Sequence, residues 1–273
     1  MSIKLVTNEK IAETSSKGNQ EKWLDSEKWY KIDQFGYEAL AETLISRLLE
    51  FSNIETDFPF KFVRYYMQKL NVHKLDRVGC VSKNFLKKGE SIITVADLIR
   101  KSTGKSMSEV FDKISSKKQQ IKFMVDEIMR VTGLEYFGEY LTLLFEIDSL
   151  FLNDDRHLNN IAVIEKNGKF DYCPIFDNGA GLLSNEINYP MNIEPKGLLK
   201  LPVARPFNTT FNRQVIAARS LYGEQLKIKK FSKEAILNEL SEIVKYYPER
   251  DRGVITDRVV CCIWSRQHNF KKV

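Results

Sequence analysis

The stretch "NIAVIEKNGKFDYCPIFDNG", Asn160 to Gly179, is the one on which the reading of the fold turns. Apolar and polar residues alternate on both sides of Asn167-Gly168. An Asn-Gly pair between alternating runs predicts a two-residue hairpin, because a type I′ turn needs positive φ at both central positions. Lys166 then pairs with Lys169, and counting outward sets Asn160 opposite Ile175. Asp177 lies only two residues further along, so the hairpin returns it to the end where Asn160 began. Asp155 stands five residues before Asn160, in the polar loop "FLNDDRHLNN". Two carboxylates and one amide are thereby predicted to converge at the open end of a hairpin.

The residues before that loop carry a helical pattern. In "LEYFGEYLTLLFEIDSLFL", Leu134, Phe137, Leu141, Leu144, Ile147 and Phe151 fall on one apolar stripe. "TVADLIRKS" and "SMSEVFDKIS" predict shorter helices upstream. "SKEAILNELSEIVKYY", with Ser232 as N-cap and Pro248 beyond its end, and "TDRVVCCIWSRQ" predict helices near the C-terminus. Residues 180–214 are weakly periodic and hold four of the chain's seven prolines. The N-terminal part differs. "KWYKI" (Lys28 to Ile32), "FKFVRYYMQKL" and "RVGCVSKNF" look like strands. Between them "DQFGYEALAETLISRLLEF" sets Tyr37, Ala41, Leu44, Ile45 and Leu48 at helical spacing. The predicted class is α+β: a small strand-rich part over residues 1–86 and a larger, mostly helical part over 87–273.

Composition narrows the function. The chain has 273 residues, 43% hydrophobic and 29% charged, with a net charge of +6 and a pI near 8.9. Its lysines are scattered in short clusters, which reads as solvated surface and not as a nucleic-acid stripe. Cys80, Cys173, Cys261 and Cys262 lack CxxC spacing, and His73, His157 and His268 are far apart, which argues against zinc. Few cysteines fit a reducing compartment. The N-terminus has no apolar signal-peptide core, and no apolar run approaches the roughly 18 residues of a membrane span. The expectation is a soluble, cytoplasmic protein, with export by a route that ignores such signals left open.

Convergent Asp, Asn and Asp oxygens are hard ligands that suit Mg²⁺, which takes a few carboxylate or amide oxygens together with substrate phosphates. In protein-kinase phosphoryl transfer one Asp and one Asn hold metal, while another Asp orients the attacking hydroxyl and accepts its proton. A plain loop of capping and turning residues would account for one such Asp, but not for the helix–D–x4–N–strand–turn–strand–D order.

Asp155-Arg156-His157-Leu158-Asn159-Asn160 resembles the D-x-H-x-x-N catalytic loop of the atypical HipA-like kinases, with Asp177 in "PIFDNGAG" at the place of their metal-binding Asp. In layout the chain is similar to the small secreted bacterial kinases of the CtkA type. The resemblance implies a bilobal protein-kinase-like fold and transfer of the γ-phosphate of Mg-ATP to a serine or threonine hydroxyl of a protein. It implies Asp155 as catalytic residue and Asn160 and Asp177 as metal ligands. Asp154 with Asn159 has the same spacing. Asp155 with Asn160 is preferred because His157 then follows the catalytic Asp by two and Asn160 directly precedes the strand. His157 is expected to build the loop, and Arg156 either to meet phosphate or to brace the loop.

The same resemblance assigns the loop "SSKGNQEK", with Ser16 and Gly18, to the phosphates, although it matches no glycine-rich fingerprint. Lys31 is the chosen phosphate lysine, with Lys28 and Lys22 as competitors. Glu42 is its chosen helix partner, with Glu38 one turn earlier in reserve. Ser82 to Asn84 would form the adenine-binding hinge. Autophosphorylation is expected at Thr14, Ser15 or Ser16, and an effector role is in keeping with the secreted relatives. Asp177-Asn178-Gly179 departs from D-F-G, so control by a swinging aromatic residue is not expected. Two rivals remain. "DRHLNN" also resembles the loop of phosphoinositide kinases, although Lys196, Lys200 and Arg205 are a thin basic supply for a lipid headgroup. The imperfect glycine loop leaves room for a nucleotide-binding pseudokinase.

Overall fold

The computed structural model describes residues 3–5 and 20–270. Ser16 and Gly18, and the expected phosphosites Thr14 and Ser15, lie outside the described residues. The N-terminal sheet has five strands in the order β1-β4-β5-β3-β2: β1 (Ile3–Leu5), β2 (Lys22–Asp25), β3 (Lys28–Ile32), β4 (Tyr65–Val72) and β5 (Leu75–Lys83). All pairings are antiparallel except that of β1 with β4. β2 and β3 form a tight hairpin in which Lys22 lies across from Lys31 and Trp23 across from Tyr30. Side chains alternate across a pleat. Trp23, Tyr30 and Ile32 therefore share one face and pack with Leu70 and Val72 in a small cluster. Lys22 and Lys31 take the other face. Gly79 allows β5 to approach this point closely, since a Cβ there would stand 2.2 Å from the Lys31 carbonyl oxygen.

Helix α1 (Glu38–Leu49) packs on that same face. Its start is held by Asp33, which accepts the Ala39 N–H at 2.6 Å and the Tyr247 hydroxyl at 2.6 Å. Eleven of its twelve residues are buried, Glu38 and Glu42 among them, so α1 is enclosed and not a surface amphipathic helix. A four-residue helix, α2 (Ile54–Asp57), leads to β4.

The second part contains the three-stranded sheet β6-β7-β8 and the remaining helices. β7 (Ala162–Lys166) and β8 (Lys169–Tyr172) pair with Lys166 opposite Lys169, and Asn167 and Gly168 have φ of 53° and 76°. That is the two-residue turn read from the sequence. β6 (Ser91–Thr94) adds a third strand that periodicity did not signal. The helices are α3 (Val95–Thr103), α4 (Met107–Phe111), α5 (Lys117–Thr132), α6 (Phe137–Phe151), α7 (Pro195–Leu198), α8 (Phe211–Tyr222), α9 (Lys233–Ile243) and α10 (Glu249–Phe270). Ser232 caps α9 by accepting the Ala235 N–H at 3.1 Å. α6 is the centre of the molecule. Every residue of it except Glu139 is buried, where a single apolar stripe was expected. Its buried Glu146 meets Arg219 of α8 at 2.6 Å and accepts the Leu226 N–H at 2.6 Å, so the acid is paired in place of facing water. No helix among the described residues is long and apolar enough to cross a membrane.

Candidate active site

Three of the residues singled out by sequence meet directly. The Lys31 Nζ lies 2.5 Å from Glu42 Oε1 and 2.6 Å from Asp177 Oδ1. Lys31 comes from β3, Glu42 from α1, and Asp177 from the segment after β8. Glu42 is fully buried and its second oxygen accepts the Asn178 N–H at 2.9 Å. Glu38 has a different task, accepting the N–H groups of Phe35 and Gly36 at 2.7 and 3.1 Å. Lys28 is exposed at the far end of β3. Lys22 lies beside Lys31 on the same face.

The electrostatics follow from this packing. Burial opposes the charge on Lys31, yet Asp177 and Glu42 outweigh it and hold the ammonium well above the usual lysine range. Burial alone would raise the Asp177 carboxyl. The charges of Lys31 and Lys22, the Lys31 hydrogen bond and Arg156 instead hold it well below the ordinary carboxylate range. Asp177 also has a positive φ of 62°. That left-handed backbone costs energy for a residue with a side chain and persists only where its surroundings impose it. Here Asn153 Nδ2 donates to the Asp177 carbonyl at 3.3 Å.

The loop between α6 and β7 is built around Arg156, which is 1% exposed. Its guanidinium donates to Asp148 of α6 at 3.0 Å, to the carbonyls of Asn160 and Phe176 at 3.2 and 2.6 Å, and to Asn178 Oδ1 at 2.7 Å. One side chain thus ties the helix, the start of the hairpin and the Asp177 segment together. Arg156 is a brace, which resolves the choice left open by the sequence. Asn153 seconds it, donating to Asp148 Oδ1 at 2.9 Å. Asp148, Asn153 and Asn178 are supporting residues that sequence reasoning missed, and so is Tyr65, whose hydroxyl accepts the Asp177 N–H at 3.5 Å. Polar side chains that brace a loop in this way carry no local signature.

Asp155 stands at the open side of this loop with 49% of its side chain exposed. His157 Nε2 lies 3.8 Å and Arg205 Nη1 3.9 Å from its carboxylate. Burial raises its pKa above the ordinary value and the Asp177 charge adds to that, while His157 and Arg205 pull it down. The neighbouring Asp154 is engaged, accepting a short hydrogen bond from the Tyr189 hydroxyl. Asn160 donates from Nδ2 to the Asp155 carbonyl at 3.0 Å, which leaves its Oδ1 for a ligand. Asn159 is exposed. The His157 N–H donates to the Asp155 carbonyl at 2.8 Å, while its ring Nδ1 is buried without a partner.

The donor set suits a hard divalent ion. Among the described residues no group of three His, Cys, Asp or Glu gathers as a protein cage. Asn160 and Asp177 would supply two oxygens only, as fits an ion that keeps water and substrate phosphates in its shell. At the proposed hinge, Ser82 is buried within β5. Asn84 donates its N–H to the Glu27 carbonyl at 2.8 Å, and its Oδ1 accepts Trp29 Nε1 at 3.3 Å and the Leu86 N–H at 3.2 Å.

The arrangement has the two-part layout of a kinase-like fold, as in CtkA. The structure is similar to the proinflammatory kinase CtkA of Helicobacter pylori, with a TM-score of 0.60 and 13% identity over 92% of this chain and 88% of that one. A looser likeness, with a TM-score of 0.47 and 12% identity, covers 95% of this chain and 66% of HipA from the Shewanella oneidensis MR-1 toxin–antitoxin system, solved with HipB and operator DNA. No protein-family model and no curated protein sequence matches the chain.

Proposed function

We propose that this protein is an ATP- and Mg²⁺-dependent kinase that transfers the γ-phosphoryl group to a serine or threonine hydroxyl of a protein. The observation that carries the reading is Lys31 held between Glu42 and Asp177 at 2.5 and 2.6 Å, beside a half-exposed Asp155. Phosphoryl transfer needs little covalent help from the protein and depends on positioning and charge. Lys31 would grip the phosphates, with Glu42 keeping its ammonium in place. Asp155 would orient the acceptor hydroxyl and receive its proton. Its half-exposed carboxylate leaves room for an incoming group, as a base needs. Asn160 and Asp177 would hold Mg²⁺, which when bound offsets the charge on the phosphates. Arg156 would keep all three acceptor-bearing segments in register.

Transfer of labelled phosphate from ATP to a generic protein tests the reading. The wild type is expected to transfer label and Asp155→Asn to lose that transfer. Equal transfer by both would remove Asp155 from the reaction. Phosphosite mapping of the wild type after incubation with Mg²⁺ and ATP is expected to place label at Thr14, Ser15 or Ser16.

A further inference from the structure

β3 changes character along its length. Tyr30, Lys31 and Ile32 are buried, whereas Trp29 is half-buried and Lys28 is exposed. Residues two apart on a strand share a face, so Trp29 stands on the face of Lys31, roughly 7 Å along the strand. Leu24 of β2 lies across from it on that face. Neither apolar cluster among the described residues takes in Leu24 or Trp29. A half-buried tryptophan outside both cores leaves a large aromatic surface for something else to cover.

A circuit of contacts closes around this surface. Trp29 Nε1 donates to Asn84 Oδ1 at 3.3 Å, and Lys31 Nζ meets Asp177 Oδ1 at 2.6 Å. Phe85 follows Asn84 and Phe176 precedes Asp177, and those two rings meet with centroids 6.1 Å apart. The circuit therefore runs from Trp29 through Asn84, Phe85, Phe176 and Asp177 to Lys31, and back along β3. Among the described residues Trp29 makes no ring contact with Phe85 or Phe176. The indole and the phenyl pair are thus separate aromatic walls. At one end of the circuit are the lysine and the carboxylate assigned to phosphate and metal. At the other is Asn84. Its Oδ1 accepts both Trp29 Nε1 and the Leu86 N–H, the latter at 3.2 Å, which fixes the amide and makes Nδ2 its free donor end. No described residue accepts from that Nδ2. Aromatic walls with one placed polar group suit a flat ligand.

We propose that Trp29 and Asn84 form the base-recognition end of the nucleotide site. A purine stacks on the Trp29 indole, and Asn84 Nδ2 donates to a ring nitrogen of that base. The inference rests on the kinase reading above and names the class of base that the site selects. Stacking by itself accepts every base, and the larger ring area of a purine gains more from an indole than a pyrimidine does.

The test is calorimetric titration of the wild type, Trp29→Ala and Trp29→Phe with Mg-ATP, Mg-CTP and Mg-tripolyphosphate. The wild type is expected to bind ATP ~10-fold more tightly than CTP. Trp29→Ala is expected to raise the Kd for ATP ~10-fold or more, the size of one lost base stack, and to leave that for tripolyphosphate unchanged. Trp29→Phe keeps a ring to stack on, and its Kd for ATP is expected to stay within ~3-fold of the wild type. The same variant is expected to lose most of the fluorescence quenching by ATP, since Trp23 is buried on the opposite face of the sheet and Trp264 lies in α10. Equal binding of ATP by wild type and Trp29→Ala, or of ATP and CTP by the wild type, would overturn the inference and leave the kinase reading standing. An equal loss for tripolyphosphate in Trp29→Ala would make Trp29 a support of the fold and overturn it as well. Binding of ATP that depends on Trp29, without any phosphoryl transfer, would uphold the base site and overturn the kinase reading. Absence of binding of all three ligands to the wild type would overturn both.

Discussion

Lys31 sits between two carboxylates at 2.5 and 2.6 Å with 8% of its side chain exposed, whereas Asp155 meets its cationic neighbours only at 3.8 and 3.9 Å with 49% exposed. Both belong to the same candidate site. The first cluster is closed, paired and buried between β3 and α1. The second is open and faces the segment at Arg205. A buried charge has to be satisfied where it lies, because desolvation is costly without a partner. A half-exposed charge keeps its water and is free to exchange it for a substrate. The contrast separates residues that hold the site from the residue that would work on an incoming group.

The largest expected effect comes from attacking the closed cluster. Lys31→Met leaves Glu42 and Asp177 without their cation, and breaking a buried pair in this way costs about 3–5 kcal/mol. Urea denaturation is expected to show that loss along with the loss of transfer. An unchanged midpoint would mean that the cluster is not part of what holds the two halves together. Asp155→Asn is expected to do the reverse. Transfer should fall by ~10²–10⁴, as for removal of a positioned base, while stability stays within about 0.5 kcal/mol. A midpoint that drops as far as that of Lys31→Met would erase the distinction between the two clusters.

The smallest effect is on pH dependence. Asp155 has to be ionised to accept a proton, and Arg205 is one of the charges that lower its pKa. Arg205→Ala removes that charge, so the pKa rises and the carboxylate takes up its proton at a higher pH. The acidic limb of the kcat profile is therefore expected to move to higher pH. A limb that moves down, or stays, would show that Arg205 does not bear on Asp155 in solution.

Much of the local framework was legible. Asn167-Gly168 announced its own turn, and the register Lys166 to Lys169 followed by counting. The span Lys28 to Ile32 read from "KWYKI" is β3 itself. Other elements escaped. α5 carries Ile121, Met124, Val125 and Ile128 on its buried face, a helical spacing masked by the lysines and glutamines at its start. β6 is too short to show a period and exists because β7 offers it an edge. α6 looked amphipathic because it contains Glu146 and Asp148, but both acids are buried against arginines. Periodicity records polarity and cannot tell a paired buried acid from a solvated one.

The site divides along the same line. The spacing of Asp155, Asn160 and Asp177 around a hairpin is a short-range property, set by strand pleat and turn geometry, and the chain states it by itself. Which glutamate of α1 meets Lys31 depended on the angle at which a helix crosses a sheet, and the contact between residues 31 and 177 spans 146 positions. Whether Arg156 faced phosphate or the interior depended on Asp148 arriving from α6 and on Phe176 and Asn178 arriving from the segment after β8. Those outcomes are decided by packing, because only the folded chain determines which charges lose their water and must find a partner.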